Sequence, residues 1–215
     1  MLALDHIVIA AKDPVQAAGE YKRNRNIITV QGGKHPKWGT ANHLAFFQND
    51  CYIEWIGVED WQTASNSDNP LIAHLADVLQ EGREGIIRLA FRTDNMDNYL
   101  QHFQASGIPY SGPFPGSRMR PDGNKLEWRM LFPEGQKEKN LPFLIEWGEM
   151  MNSPADPRDI NKVEISSVSY PGTLLQEWGE IFQFKKTGQT VALANCLLKE
   201  QEAGNPLSFE LSRKH

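Results

Sequence analysis

Short runs rich in Ile, Val, Leu and Phe alternate along the chain with segments whose apolar residues fall three or four apart, and the order of the two patterns repeats. Leu4 to Ala11 is an apolar run that stops at Asp13-Pro14, an N-cap residue followed by a proline suited to a first helical turn. A strand and then a helix from Pro14 to about Asn24 are therefore predicted. Ile27–Gln31, Asn42–Gln48 and Cys51–Gly57 supply further strands, separated by turns at Gly32-Gly33 and Asn49-Asp50. The unit reads β-α-β-β-β.

Glu59 to Ser67 is loop-like, and Leu71, Ile72, Leu75, Val78 and Leu79 take helical spacing between Asn69-Pro70 and Gly82. The first order then returns. Ile86–Phe91 is predicted as a strand, Asp94–Ser106 as a helix, Asp122-Gly123 as a hairpin turn and Pro142–Trp147 as the closing strand. Tyr52-Ile53-Glu54-Trp55 recurs as Leu144-Ile145-Glu146-Trp147, so the two units look like copies. A third, shorter copy is read from Val163–Val168 as strand, Pro171–Phe182 as helix, and strands near Val191–Lys199 and Leu207–Leu211. The fold class is α+β: tandem β-α-β-β-β modules over residues 1–58 and 85–150, a connecting loop and helix over 59–84, and a partial module over 160–215.

Composition fits this reading, with 40% hydrophobic and 23% charged positions in 215 residues. A net charge of −5 repels a phosphate backbone, which argues against nucleic acid as partner. No run of about 18 apolar residues is present to span a bilayer, and Asp5 and His6 interrupt the first apolar stretch, unlike a signal peptide. A cytoplasmic protein is expected. Cys51 and Cys196, the only cysteines, lie in apolar segments and are expected to be buried free thiols.

Three ionisable residues fall in apolar strands: His6, Glu54 and Glu146. Alternation puts His6 on the face of Leu4, Val8 and Ala10, and Glu54 on that of Tyr52 and Ile56. A carboxylate buried in such a strand must be paired, protonated or metal-bound, whereas on a half-exposed strand it would simply face solvent. One imidazole and two carboxylates that converge would form a site for a divalent cation.

The segments Leu4-Asp5-His6-Ile7-Val8-Ile9, Gly32-Gly33-Lys34-His35-Pro36-Lys37-Trp38-Gly39-Thr40-Ala41-Asn42, Tyr52-Ile53-Glu54 and Leu141-Pro142-Phe143-Leu144-Ile145-Glu146-Trp147 resemble the vicinal oxygen chelate superfamily, and within it the glyoxalase-like proteins. The resemblance covers residues 1–150. It implies paired modules curving into a half-barrel, with a metal held by the first and fourth strands. It assigns His6, Glu54 and Glu146 as metal ligands, with zinc, manganese, iron or nickel as the cation, or no metal at all. The fourth ligand, on the first strand of the second module, falls at Ile86 or Ile87, which cannot bind a metal.

Chelation of two adjacent substrate oxygens would stabilise an enolate while Glu54 or Glu146 moves a proton. The implied activity is that of a lyase or isomerase on a small vicinal-oxygen metabolite; the alternative is a metal-free protein that binds a small molecule among Trp38, Trp55, Trp128 and Trp147. Trp38, Thr40, Asn42 and His43 are expected to line the pocket, with Arg118, Arg120 and Arg129 at its mouth for an anionic substrate. His35, His74, His102 and His215 read as surface residues. A third alternative is that residues 160–215 complete a homodimer or cover the pocket and the protein serves an assembly role.

Overall fold

The protein is described here by a computed structural model covering residues 1–119, 123–135, 141–172 and 175–213. The first module consists of β1 (Ala3–Ala10), α1 (Pro14–Arg25), β2 (Val30–His35), β3 (Thr40–Phe47) and β4 (Tyr52–Val58). Asp13 caps α1 by accepting the amide of Gln16 at 3.0 Å, with Pro14 in the first turn and three cations in the last. The linker folds as α2 (Trp61–Ser65) and α3 (Pro70–Gln80). The second module follows as β5 (Gly85–Arg92), α4 (Met96–Ser106), β6 (Tyr110–Met119), β7 (Lys125–Pro133) and β8 (Phe143–Trp147).

These strands form one sheet in the order β2-β3-β4-β1-β5-β8-β7-β6, and β9 (Ile160–Asn161) extends it by pairing with β3. Each module places its first and fourth strands parallel and adjacent, β1 with β4 and β5 with β8, and the modules join where β1 runs antiparallel to β5. The sheet curls until its ends approach, so that the His35 and Trp128 rings lie 6.3 Å apart. The stretch Glu59–Ser67, expected as loop, contains α2, and the expected strand Ile27–Gln31 is found at Val30–His35. Gly32-Gly33 is part of β2 rather than a turn, accommodated by a register shift between Gln31 and Lys34. Residue Asp122 of the expected hairpin turn lies outside the described residues, although its flanking strands β6 and β7 do pair antiparallel.

The C-terminal segment contains β10 (Glu164–Pro171), α5 (Leu175–Phe182), β11 (Lys186–Thr187), β12 (Thr190–Ala192), β13 (Leu197–Gln201) and β14 (Ser208–Ser212). Their order is β11-β12-β13-β10-β14 with β10 parallel to β13, the connectivity of the first module again. Strand β14 takes the place against β10 that β5 takes against β1, and both pairs carry a register shift early in the strand, at Leu4/His6 and at Ile165/Ser167. The expected strand Val191–Lys199 is split into β12 and β13, and Pro171, expected in the helix, ends β10; Thr173 and Leu174 lie outside the described residues.

One apolar cluster unites the convex face of the main sheet with the third module: Leu4, Ile7, Trp55, Phe91 and Phe103 pack with Val168, Trp178, Phe182 and Leu198. Burying each such aromatic contributes about 2–3 kcal/mol. A second cluster fills the concave face, where Val8, Ile56, Ala90, Phe132, Phe143 and Ile145 meet Leu71, Ile72, Leu75 and Leu79 of α3. Helix α3 therefore plugs one end of the half-barrel. Both cysteines are buried free thiols, and no helix among the described residues is long and apolar enough to cross a membrane.

Candidate functional site

The concave face leaves a small cavity beyond α3, about 40 Å³ of free interior lined by His6, His35, Asn42, Tyr52, Glu54, Asn69 and Arg118 among apolar walls. His6 reaches it through a β-bulge. Regular alternation would put His6 on the face of Leu4, but the register shift between them lets Asp5 and His6 both turn inward while Leu4 packs in the convex core. The Asp5 Oδ1 then lies 2.6 Å from His6 Nδ1, and its Oδ2 accepts the Trp147 indole at 2.8 Å. Burial raises the Asp5 carboxyl, but the hydrogen bond and charge of His6, together with Trp147 and Arg92, outweigh it and hold the group below its ordinary value. An ionised Asp5 fixes the Nδ1 proton of His6 and leaves Nε2 facing the cavity.

Glu54 stands on β4 across from β1, with Oε2 3.5 Å from His6 Nε2. Its other oxygen accepts from Asn42 Nδ2, whose own Oδ1 accepts the Gly33 amide at 2.8 Å. That amide fixes which end of Asn42 faces Glu54. A Cβ on Gly32 would sit 1.9 Å from Asn42 Oδ1, so the glycine makes room for this relay. Two titratable groups thus share the cavity, each braced from behind by a buried partner.

Around them, Tyr52 stacks on the His6 ring at 4.6 Å, and burial with the Asp5 and Glu54 carboxylates nearby pushes its phenol well up, so it stays protonated. His35 points its Nδ1 to Thr40 Oγ1 at 3.1 Å. Burial lowers its imidazole, Glu54 opposes this and Arg118 adds to it, so His35 is held neutral-leaning. Arg118 is braced by Asn152 Oδ1 at 2.9 Å. Trp38, Trp128, Trp147 and Phe143 complete the wall, and beyond His35 and Trp38 opens a cleft of about 310 Å³ flanked by Lys37, Gly116 and Glu127.

Of the residues singled out in the sequence, His6, Glu54, Trp38, Asn42 and Arg118 line the cavity, and Thr40 positions His35. Glu146 does not join them. It faces the other side of β8, where Oε1 accepts the Met96 amide at the start of α4 and Oε2 accepts Arg129 Nε at 2.6 Å. Arg129 therefore belongs to the outer face too, also pairing with Asp97 at 2.9 Å. His43 lies in a groove on the α1 side with Asp13 and Gly57, and Trp55 packs against Tyr21 in the convex core. Arg120 lies outside the described residues.

Register explains the misplacement of Glu146. His6 and Arg88 stand at the same spacing ahead of the helix that follows each, α1 at Pro14 and α4 at Met96. Val8 pairs with Glu54 in the first module and Ala90 with Phe143 in the second. Phe143, not Glu146, is thus the counterpart of Glu54, and an odd offset along a strand reverses the face. The counterpart of His6 is Arg88, whose guanidinium lies over the Phe132 ring, rather than Ile86 or Ile87.

This bears directly on a divalent metal. The second module offers a cation and a hydrocarbon where the first offers His6 and Glu54, and neither Arg88 nor Phe143 donates an electron pair. Among the described residues no group of three or more His, Cys, Asp or Glu side chains could hold a metal ion. The donor set does not fit a metal bridging the two modules.

Five contributors were missed in the sequence. Asp5 is turned inward only by the bulge, His35 lies in a glycine-rich stretch that reads as a turn, Tyr52 reads only as an apolar neighbour on the face of Glu54, and Asn152 carries no local signal. Asn69 was legible only as the cap of α3, although it also lines the cavity.

Residues 4–180 match the model of a glyoxalase-like domain. Curated proteins give no match. Among solved structures, a hypothetical protein from Staphylococcus aureus aligns at 20% identity over 94% of this chain and 88% of that one, with a TM-score of 0.74. A hypothetical protein from Bacillus halodurans C-125 aligns at 15% identity over 71% and 98%, with a TM-score of 0.50. A methylmalonyl-CoA epimerase from Mycobacterium tuberculosis aligns at 19% identity over 67% and 85%, with a TM-score of 0.49. The Staphylococcus likeness extends the shared fold over nearly the whole chain.

Proposed function

The chain belongs to the glyoxalase-like domain family, and from that premise we propose that it is an isomerase- or lyase-type enzyme that moves a proton on a small vicinal-oxygen metabolite, using Glu54 and His6 without a metal. The observation that carries this is the buried string Asp5–His6–Glu54–Asn42, which points one nitrogen and one carboxylate oxygen at each other at the cavity. Glu54 Oε2 accepts the proton from a substrate carbon, and His6 Nε2 delivers or retrieves a proton at the adjacent oxygen. Arg118 at the rim attracts a negative group, and the adjoining cleft receives whatever part of the substrate the inner cavity excludes.

The test is deuterium incorporation from D2O into a panel of small 2-hydroxy ketones and 2-oxo acids, followed by NMR with wild-type protein, Glu54→Gln and His6→Ala. Exchange that the wild type accelerates and Glu54→Gln abolishes is expected. A panel on which wild type and Glu54→Gln exchange equally overturns the reading. Elemental analysis of protein purified without chelator or nickel resin accompanies it; near-stoichiometric metal lost in His6→Ala would restore the metal mechanism.

The four aromatic walls favour a second reading, in which the same cavity only sequesters an apolar molecule. Tight binding of an aromatic probe, unaffected by Glu54→Gln and His6→Ala, would select it.

A further inference from the structure

Asn69 carries an amide that the fold leaves unanswered. The residue is fully buried, lines the cavity, and precedes α3 as its N-cap. Its Oδ1 accepts the Leu71 amide at 2.9 Å, and its backbone carbonyl accepts the amides of Ile72 and Ala73, each at 3.0 Å. Because Leu71 donates, the side-chain atom facing it is the oxygen, so the amide orientation is fixed and Nδ2 is the end that remains. That Nδ2 is buried with no hydrogen-bond partner among the described residues. Native structures satisfy buried donors, and one left open beside a cavity marks where a ligand atom belongs.

The surroundings specify that atom. Nδ2 can only donate, so the ligand presents an acceptor. The donor sits at the positive end of an 11-residue helix whose first-turn amides are already occupied by the cap, so the helix contributes its dipole while Asn69 contributes the hydrogen bond. Leu71 and Ile72 beside it are apolar and exclude water, which strengthens the interaction with a negative oxygen.

We infer that Asn69 is the oxyanion donor of this cavity: its Nδ2 binds the carbonyl or carboxylate oxygen of the ligand and holds the negative charge that a metal ion would otherwise stabilise. The inference rests on the proton-transfer reading for its chemistry. When Glu54 Oε2 takes the proton from the carbon next to the carbonyl, the C–H electron pair forms the C=C bond and the carbonyl π pair moves to the oxygen, leaving an enolate with its charge against Asn69. Reprotonation of that carbon by the Glu54 carboxylic acid restores the carbonyl and the carboxylate; in a 2-hydroxy ketone, reprotonation of the former carbonyl carbon instead requires the neighbouring hydroxyl to give its proton to His6 Nε2 as it becomes the new carbonyl, and the old carbonyl oxygen to take that proton up. No redox partner is needed.

The binding part is tested with acetate, a carboxylate small enough for the inner cavity. The side-chain amide pair of Asn69, identified as the NMR signal absent from Asn69→Ser, is followed as acetate is added to the full chain. Serine retains the cap on α3 and removes the amide, so Asn69→Ser is expected to keep the wild-type melting temperature yet bind acetate at least about tenfold more weakly. Asn69→Asp also caps the helix and, by adding a charge, abolishes acetate binding. A saturable shift of the Asn69 pair in wild type and in Glu54→Gln supports the assignment. No saturable shift, or equal acetate affinity in Asn69→Ser, overturns it. The two readings fail separately: acetate binding that depends on Asn69 without proton exchange refutes only the enzyme reading, and exchange that Asn69→Ser leaves at the wild-type rate refutes only the oxyanion role.

Discussion

Asp5 and His6 are consecutive residues of a β-strand, yet their side chains meet at 2.6 Å on the same side of the sheet. Ordinary pleating forbids that, and only the bulge at the β1–β5 seam permits it. The bulge thereby converts a neighbour in sequence into the group that orients the imidazole. Asp5→Asn should lower proton transfer because it removes the charge and leaves one acceptor oxygen for both the His6 Nδ1 proton and the Trp147 indole, and should destabilise the fold by about 3 kcal/mol because Arg92 and Trp147 lose a buried charged partner. Urea unfolding and deuterium exchange on the same variant measure both. Wild-type stability in Asp5→Asn would refute the pairing.

Glu54→Gln and Glu146→Gln form a contrasting pair. Glu54→Gln removes the base at the cavity and should reduce exchange by about 10²–10⁴-fold with the fold intact. Glu146→Gln weakens the cap on α4 and the ion pair to Arg129 on the outer face, costing about 1 kcal/mol of stability and leaving exchange untouched. Reversal of these two phenotypes would mean that the second-module glutamate, not the first, serves the chemistry.

Asn42 and Gly32 extend that test behind Glu54. Gly32→Ala places a methyl group against Asn42 Oδ1 and must displace it, so Gly32→Ala and Asn42→Ala should both release the Glu54 carboxylate and depress exchange, though Gly32 does not line the cavity. About 1–3 kcal/mol of stability should go with the loss of the Asn42 bonds. The rates are compared at saturating substrate; an unchanged rate in Gly32→Ala with retained folding would show that the relay is not needed.

Alternation along single strands made the positions of His6 and Glu54 legible, because their apolar neighbours Val8, Tyr52 and Ile56 pin the face each occupies. Pairing between strands was not legible. The Ile-Glu-Trp similarity carries no information on how β8 registers against β5, and the register that Ala90 and Phe143 adopt turns Glu146 outward. The same limit concealed Arg88, which looks like an interruption of an apolar strand until its spacing ahead of α4 is set beside that of His6 ahead of α1. Asp5 and His35 were hidden differently: a bulge and a glycine-tolerant strand both break the two-residue period on which the reading depends.

Acid should weaken the fold in two stages. Burial, with Arg88 and Arg83 adding to it, lowers the His74 imidazole to about 4, and burial lowers His35 as well. Both have folded values below the unfolded one near 6.5, so the unfolded chain binds protons that the folded chain refuses, and stability falls as pH drops from about 6.5 toward about 4. Asp5 acts below that: its folded value lies under the ordinary 3.8, so its contribution is present above that pH and is lost as pH falls through the folded value. Melting temperatures across this range should show a shallower slope between pH 6.5 and 4 in His74→Gln, with the remainder removed by His35→Gln. A slope unaltered in the double variant would exclude both imidazoles as its source.

The third module should prove inseparable from the first. Asn195 donates to the Leu4 carbonyl at 2.9 Å and to the Asn49 carbonyl at 2.7 Å while accepting the Leu4 amide at 2.8 Å, and Asn49 in turn donates to the carbonyls of Ile165 and Asn195. This clasp holds the N-terminal end of β1, the strand whose bulge presents Asp5 and His6, against a core shared with Trp178 and Phe182. Asn195→Ala should cost about 2–3 kcal/mol as several buried groups lose partners at once, and should also lower exchange by loosening the bulge. Truncation after Met151 should strip the cover from Leu4, Trp55 and Phe91 and yield aggregated protein. A truncated chain that stays monodisperse in size-exclusion chromatography and retains exchange would show instead that the third module is an independent addition to the site.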